Sequence, residues 1–531
     1  MPVLPKSFLV LGASLQTARM SQRLKRRAAA VPAQQRALRE LTAKIALTAF
    51  GRANGVEAGM SYQRFQARVP PQTYEQLAPS IERMKRGEAD ILWPGRCAFY
   101  ALSSGTATGQ AKWLPVTEEM LAHFRRAGTD ALLCYTARVG HTGVVRGRHL
   151  ILGGSTALTE LPVSATPPFA AYAGNLGGIA ALNLPASVER HLYEPGAAIA
   201  HIADWPAKVA AIVARTRALD ITLLAGSPHW LLVLAEALRE GATRGKARPT
   251  HLQAMWPNFE CLVHGGAPIG PFHDELRRIV GPTAHFHEIY PATEGFIAAQ
   301  DAEAAAGLRL MSDTGLFFEF LPMSDFAEPL PPGAGARAVP LEGVQTGVDY
   351  ALLLTTPAGL CRYVLGDIVR FLSIEPPRLV YVGRTQLQLN AFGERVQEKE
   401  LTDALIAVCR RHHWSIASFH VAPLFAPAVT GQLRGRHEWW IELKPGTKET
   451  PTGPLLAPAL DTELTARNET YAAKRAGGSL EAPHVRLVMP GVFEHWMRHH
   501  GKWDGRNKMP RCRGDRAVAG ELASVAGYKP E

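Results

Sequence analysis

Several stretches of the chain combine residue types and spacings suited to an anionic ligand. The first is "SSGTATGQAK", residues 103–112. Its small residues, Gly105 and Gly109 among them, let backbone N–H groups approach anionic oxygens, and the hydroxyls of Ser103, Ser104, Thr106 and Thr108 add donors. Lys112 brings a positive charge. The pattern differs from the G-x-x-x-x-G-K-[ST] loop of common NTPases, because the lysine stands three residues after Gly109. Alone, such a stretch is equally a polar turn between two strands.

The second is "HGGAPIGP" (264–271), followed by "HFHEIYPATEG" (285–295). Gly265 and Gly266 can expose backbone to a flat ring, and Tyr290 can stack on it. Thr293 can donate to a phosphate oxygen, and Glu294 can hold Mg²⁺ or serve as a helix-start carboxylate. His285 and His287 alternate onto one strand face, and without a third ligand in the pattern they read as a structural pair. In "CRYVLGDIVRF" (361–371), Gly366 bends a strand and Asp367 could accept the vicinal hydroxyls of a ribose; a β-turn aspartate is the alternative. "LVYVGRTQLQLNAFGERVQEKEL" (379–401) follows, where Gly383–Arg384 could mark a domain junction and Arg395 could meet anions. Near the C-terminus, "WDGRNKMPRC" (503–512) places Lys508 on a Gly-containing loop, a position that alone would be solvated surface. His495 and His499 are spaced i, i+4 but lack the zinc-protease pattern.

The elements that must position these residues alternate in type. Leu38, Leu41 and Ile45 recur at helical spacing in the first hundred residues, with Gly51 and Gly55 of "FGRANG" expected as breakers. "HLILGG", "ITLLAGSP" and "FECLVHGGAP" then read as strands delivered into Gly or Pro turns, with helical patterns such as "WLLVLAEALREGATRG" (230–245) between them. This alternation predicts an α/β fold whose loops carry the chemistry. From Leu321 the chain becomes rich in Pro and Gly, and "DYALLLTTPAGLCRYVLGDIVRFL" predicts two strands around a Pro-Ala-Gly turn, hence a β-subdomain. Beyond "KPGTKETPTGPLLAP" (444–458), a helix from about Ala459, a strand "VRLVMPG" and a helix "FEHWMRHH" predict a small separate α+β domain.

Composition bounds the possibilities. With 531 residues, 47% hydrophobic and 20% charged, the chain has the make-up of an ordinary globular protein of two or more domains. A net charge of +11 favours anionic partners without choosing among them, and no nucleic-acid recognition motif accompanies it. The six cysteines show no paired spacing, which fits a reducing compartment. The apolar run Phe8 to Leu15 is short for a signal peptide and is expected to form a buried N-terminal element. No stretch approaches the roughly 20 apolar residues of a membrane-spanning helix, so a cytoplasmic protein is expected.

In order along the chain, "VPPQTYEQLAPSIERMKRGEADILWPG", "SSGTATGQAKWLP", "YPATEG", "GLFFEFLP", "CRYVLGD", "LNAFGERVQEKEL" and "RNKMPR" resemble the blocks of the acyl-acid-amido synthetase family of auxin-responsive proteins, the Gretchen Hagen family. That family is a branch of the adenylate-forming superfamily of acyl-CoA synthetases and luciferases. The resemblance implies a large N-terminal αβ domain (1–383) binding ATP and an acyl acid, and a small mobile C-terminal lid (384–531). On the matching positions, Ser103 to Gly109 look like the phosphate loop and Gly265, Gly266 and Ala267 like the adenine wall. Thr293 and Glu294 look like the phosphate and Mg²⁺ positions, Asp367 and Arg384 the ribose side, and Tyr381 an aromatic near the nucleotide. Lys508 looks like the lysine delivered by the C-terminal domain. Arg395 departs from the lysine that plant members often carry there, which exchanges a point charge for a flat fork.

The implied activity is adenylation of a small carboxylic acid with ATP and Mg²⁺, then transfer of the acyl group to the amine of an amino acid. An acyl-CoA ligase using the same adenylate and a non-catalytic nucleotide or acid sensor are the alternatives. A monomer with neither nucleic-acid nor membrane partners is expected.

Overall fold

A computed structural model of the chain describes residues 5–103, 112–163, 169–241, 249–327, 330–331, 333–385, 388–394, 396–425, 435–444, 451–500, 503 and 509–527. It divides into two compact units. Among the described residues, one runs to Leu365 and adds Val369–Tyr381; the other holds Gly366–Ile368 and the chain from Val382 onward.

The larger unit is built on an 11-stranded sheet. One half is parallel, in the spatial order Tyr193–Glu194, Arg148–Ile151, Ile221–Gly226, Cys261–Gly265 and His285–Ala292. Parallel neighbours need long crossovers, and the helices Trp205–Thr216, Pro228–Gly241 and His273–Val280 provide them. At His285–Ala292 the sheet changes character. That strand turns directly back into Gly295–Ala299, and antiparallel pairing continues through Leu308–Leu310 to Pro377–Arg384. Tyr363–Ile374, Asp349–Thr355 and Phe317–Pro322 complete the edge. The β-subdomain is therefore the antiparallel half of the same sheet. A second sheet, in the order Lys112–Val116, Phe99–Ser103, Tyr172–Gly174 and Thr159–Glu160, shares its core through Tyr100, Leu114, Ile297, Phe318 and Val369.

The helices are well capped. Glu118–Val139 begins at Thr117, whose side chain accepts from the Met120 N–H, carries Glu118 and Glu119 in its first turn, and ends at Gly140 in the left-handed region. Tyr74–Lys85 opens with a capping box between Thr73 and Gln76.

Three expectations are corrected at the level of local structure. The Phe8–Leu15 run lies in the helix Lys6–Leu24, but Phe8, Leu11 and Leu15 are 60%, 60% and 58% exposed. A continuous apolar run covers every side of a helix, and only one stripe can pack. Here that stripe is Val10, Ala13, Thr17, Met20 and Leu24, held by a Thr17–Thr136 hydroxyl contact of 2.8 Å and an Arg23–Asp130 ion pair of 2.6 Å. Gly51 is not a breaker either: it sits inside the short helix Ala49–Ala53, capped by Thr48. A Cβ on Gly51 would come 1.9 Å from the Ile45 carbonyl oxygen, so the glycine permits a close backbone approach. Finally, the helix expected from about Ala459 starts at Gly453. Pro454 is tolerated in the first turn, where its missing N–H costs nothing.

The smaller unit has a three-stranded sheet, Ile416–Phe425 antiparallel to Gly435–Leu443, with His484–Val488 parallel to the latter. Strand alternation sends Trp439 and Trp440 to opposite faces. Trp439 packs with Leu405, Val408, Leu460 and Leu464 of the helices Glu398–Arg411 and Gly453–Arg467. Trp440 packs with Phe493, Trp496 and Leu522 of Val492–His499 and Ala517–Val525.

Candidate active site

The stems of the Ser/Thr/Gly stretch form a β-hairpin. Phe99–Ser103 runs antiparallel to Lys112–Val116, with Ser103 opposite Lys112. Ser103 and Lys112, which flank the hydroxyl- and glycine-rich segment 104–111 in the sequence, are thus directly paired. Ser104, Gly105, Thr106, Thr108 and Gly109 lie outside the described residues.

Lys112 is oriented by two tyrosines that the sequence did not single out. Its Nζ donates to the Tyr363 hydroxyl at 3.4 Å and lies 5.6 Å and 6.0 Å from the Tyr74 and Tyr363 ring centroids. The Tyr74 hydroxyl accepts the Trp113 N–H at 2.8 Å, which ties this cage to the hairpin. Tyr74 and Tyr363 fall within the quoted blocks "VPPQTYEQL" and "CRYVLGD", but nothing in their spacing reports that they meet.

The strand end at Tyr363 is fixed from behind by a sealed ion pair. Arg362 donates to both Glu319 carboxylate oxygens, at 2.9 and 3.0 Å from Nε and 2.8 Å from Nη2. It also donates to the carbonyls of Gln66, Val69 and Gly335. The two side chains are 0% and 1% exposed, and Arg362 takes a φ of 45°, a left-handed conformation that this network holds in place.

The second group lies where the sheet switches from parallel to antiparallel, the region where open α/β sheets bind ligands. Gly265 ends its strand, and a Cβ there would sit 2.4 Å from the Ile289 carbonyl oxygen; Gly266 has φ 72°. The two glycines thus do different work, one allowing strand approach and the other a reversed backbone. Ala267 follows, partly buried. Thr293 and Glu294 are the two turn residues between His285–Ala292 and Gly295–Ala299, so Glu294 is a buried hairpin-turn carboxylate and not a helix start. Tyr290 is buried and meets Tyr381 edge-on, with centroids 5.8 Å apart and planes at 78°. His285 and His287 both contact Tyr135 edge-on, at 5.9 and 5.6 Å, as a structural pair would. Trp230 is 2% exposed and packs 4.7 Å from Trp205.

In the smaller unit, Asp367 sits within a strand beside Gly366 (φ 86°), not in a turn. Arg384 donates to it at 3.0 Å, with the carboxylate side 5% exposed and the guanidinium side 39%. Arg395 and Lys508 lie outside the described residues. The neighbour of Arg395, Glu394, is fully buried, accepting from the Phe392 N–H and bonded to His437 at 3.0 Å.

Comparison with known proteins places these constellations in a family. The GH3 family N-terminal domain matches residues 19–284, the GH3 family central domain 309–384, and the GH3 family C-terminal domain 399–517. The chain belongs to the GH3 family.

Within that family it is similar to a probable indole-3-acetic acid-amido synthetase, GH3.2 of Oryza sativa subsp. japonica, at 25% identity over 90% of this chain and 88% of the relative. A second rice relative, probable indole-3-acetic acid-amido synthetase GH3.12, is 26% identical over 91% of each chain. Among solved structures, the acyl acid amido synthetase AtGH3.15 superposes with a TM-score of 0.74 at 17% identity, covering 99% of this chain and 97% of that one. A 2-hydroxyisobutyryl-CoA ligase follows at a TM-score of 0.59 and 16% identity, covering 94% and 92%. This GH3 member therefore has the fold of adenylate-forming ligases, with the Thr293–Glu294 turn and the Gly265–Gly266 step at the sheet's switch point.

Proposed function

We propose that this GH3 protein is an ATP-dependent acyl-acid amido synthetase. The reading rests on one observation above all: the N-terminal, central and C-terminal domains of the family occur in order across the chain, and the curated relatives that they point to are named as amido synthetases. In the first half-reaction the substrate carboxylate attacks the α-phosphorus of ATP, forming acyl-AMP and releasing pyrophosphate. In the second, the neutral amine of an amino acid attacks the acyl carbon, giving the amide, AMP and a proton.

The roles follow from charge. The hydroxyls and backbone of 103–109, with Lys112 at the base of the loop, take the phosphates, and Tyr74 and Tyr363 keep the Lys112 ammonium aimed. Gly265, Gly266 and Ala267 form the adenine wall with Tyr290, and Thr293 takes a phosphate oxygen. Asp367 takes the ribose hydroxyls, oriented by Arg384, with Tyr381 near the nucleotide. The roles of Arg395 and Lys508 rest on their sequence blocks. The proposed domains are 1–383, which binds ATP and the acid, and 384–531, which carries Lys508.

Among the described residues no cluster of three or more acidic, histidine or cysteine side chains converges as a cation site. The buried Glu294 still fits Mg²⁺, which takes most of its ligands from phosphates and water and needs only one or two carboxylates. When bound, Mg²⁺ would supply charge neutralisation on the nucleotide phosphates. The proposed setting is the cytoplasm, as a monomer acting on a small carboxylic acid and an amino acid and not on nucleic acid or a membrane. Six buried cysteines, none of them in a disulfide, suit a reducing compartment, and among the described residues no helix is long and apolar enough to cross a membrane.

The test is a pyrophosphate-release screen of carboxylic acids with ATP and Mg²⁺, followed by product analysis with amino acids or coenzyme A. Acid-dependent release with an amide product is expected. A thioester product would make the chain an acyl-CoA ligase, and nucleotide binding without release for any acid would make it a sensor.

A further inference from the structure

Two polar side chains at the switch point are left over by the roles assigned above. His264 and Glu288 stand opposite each other on the neighbouring parallel strands Cys261–Gly265 and His285–Ala292, so both project from the same sheet face. Tyr290, assigned to the adenine, follows Glu288 on that face about 7 Å along the strand. His264 is buried, and its Nδ1 has no hydrogen-bond partner. The hydrogen bond of Glu288 with the Gln300 side chain uses its backbone N–H, and burial alone pushes its carboxyl up from the ordinary value.

An unsatisfied buried polar group costs about 1–3 kcal/mol. The His264 imidazole is such a group, and in register beside it, at the carboxyl end of the parallel strands, stands the partly buried Glu288 carboxyl, so the pair marks a place where a ligand supplies the missing partner. The packing around them has the shape of a subsite. Phe286, one step back on the same face, is covered by His264 at 6.0 Å, by His273 at 5.1 Å and by the Arg277 guanidinium at 4.1 Å. That cover comes from the helix His273–Val280, and Glu288 is the next residue on this face toward the strand's end. On the other side, Gly226 pairs with His264 and contributes no side chain. Leu152 and Leu231 close over it, each 3.2 Å from where a Cβ would be, and give an apolar flank. The result is a partly buried wall of apolar surface carrying one carboxyl and one imidazole.

We propose that His264 and Glu288 form a polar subsite of the acyl-acid pocket that selects carboxylic acids bearing a hydroxyl group remote from the reacting carboxylate. A hydroxyl suits both residues at once: its O–H donates to the Glu288 carboxylate and its oxygen accepts from the neutral imidazole of His264. Leu152 and Leu231 take the hydrocarbon of the acid. This assignment rests on the amido synthetase reading given above and deepens it by naming a substrate class.

The experiment compares kcat/KM for pyrophosphate release between ring-hydroxylated and unsubstituted members of the benzoate, phenylacetate and phenylpropionate series, in the full-length protein and in Glu288→Leu. In the native protein at least one hydroxylated acid should exceed its parent by about tenfold to a hundredfold, since a site built for a hydroxyl penalises its loss. Glu288→Leu should abolish or reverse that preference while leaving the KM for ATP unchanged. Turnover of parents as good as that of every hydroxylated acid overturns the inference without needing a variant. So does an equal loss on both acids in Glu288→Leu. Absence of pyrophosphate release with any acid is a separate result, which removes the amido synthetase reading and this subsite with it.

Discussion

Arg362 and Asp367 lie five positions apart along one stretch of chain, and each belongs to an arginine–carboxylate pair, yet the two pairs differ sharply in burial. The Arg362–Glu319 pair is sealed: both side chains are fully buried and protein carbonyls complete the guanidinium's bonds. The Asp367–Arg384 pair is open on its arginine side. A sealed pair cannot exchange a partner for a ligand without leaving a buried charge bare, so its contribution is to hold the backbone. An open pair, reached by solvent on its arginine side, contributes little to stability. The same division separates the buried histidines from Lys112, whose cage of aromatic rings and one hydroxyl leaves its charge uncompensated by any described carboxylate. Sealed groups should therefore report in unfolding experiments and open ones in kinetics.

The largest effect expected is on the sealed histidines. Burial pushes His123, His149 and His420 down to about 4 and His287 down to about 3, so each is neutral in the folded protein. The unfolded chain takes up protons below the ordinary value of 6.5 while the folded chain refuses them. Stability is thus fully present above pH 6.5 and falls toward pH 4, by about 1.4 kcal/mol per pH unit for each histidine. Urea unfolding at stepped pH checks this, and a flat profile between pH 7 and pH 5 would refute the sealed description.

Next comes the ion pair itself. Arg362→Met should cost about 3–5 kcal/mol by leaving Glu319 buried and unpaired, read as a lower urea midpoint. A loss below about 1 kcal/mol would place the pair with ordinary surface bridges. Lys112→Ala should reverse the pattern, lowering kcat/KM for pyrophosphate release by about 10²-fold with an unchanged midpoint. Tyr363→Phe, which removes only the hydroxyl partner, should lower it by about threefold. The smallest effect belongs to the open pair: Arg384→Ala should raise the KM for ATP about tenfold, about 1.4 kcal/mol, with stability within about 1 kcal/mol of the native protein. Arg384→Lys should recover only part of that, because the planar fork is lost. Equal effects of Arg362→Met and Arg384→Ala on both readouts would erase the distinction.

Much of the fold was legible because it depends on short-range patterns. The apolar runs ending in Gly or Pro at 149–154, 221–228 and 259–268 gave the parallel strands, and the repeat Leu38, Leu41, Ile45 gave a helix. The errors arose where a local rule had a non-local exception. Glycine usually breaks a helix, but Gly51 is used for contact with the Ile45 carbonyl; an apolar run usually buries, but only one stripe of Lys6–Leu24 finds a partner. The glycines and acids proposed for the site stand out in the sequence because adjacent residues make up each of its motifs. Tyr74, Glu288 and His264 could not be given roles, since each acquires one through a residue far away in sequence: Tyr74 through Trp113, and Glu288 and His264 through each other.

By itself the sequence determined the class of fold, the order of the motifs and the family they resemble, since these are carried by local periodicity and by contiguous blocks. Only the tertiary structure decided which polar groups are sealed and which are open. Exposure and partnership depend on strand register and on helices that cover one face of a sheet and stop. Those are properties of residues brought together from distant parts of the chain, and no local pattern encodes them.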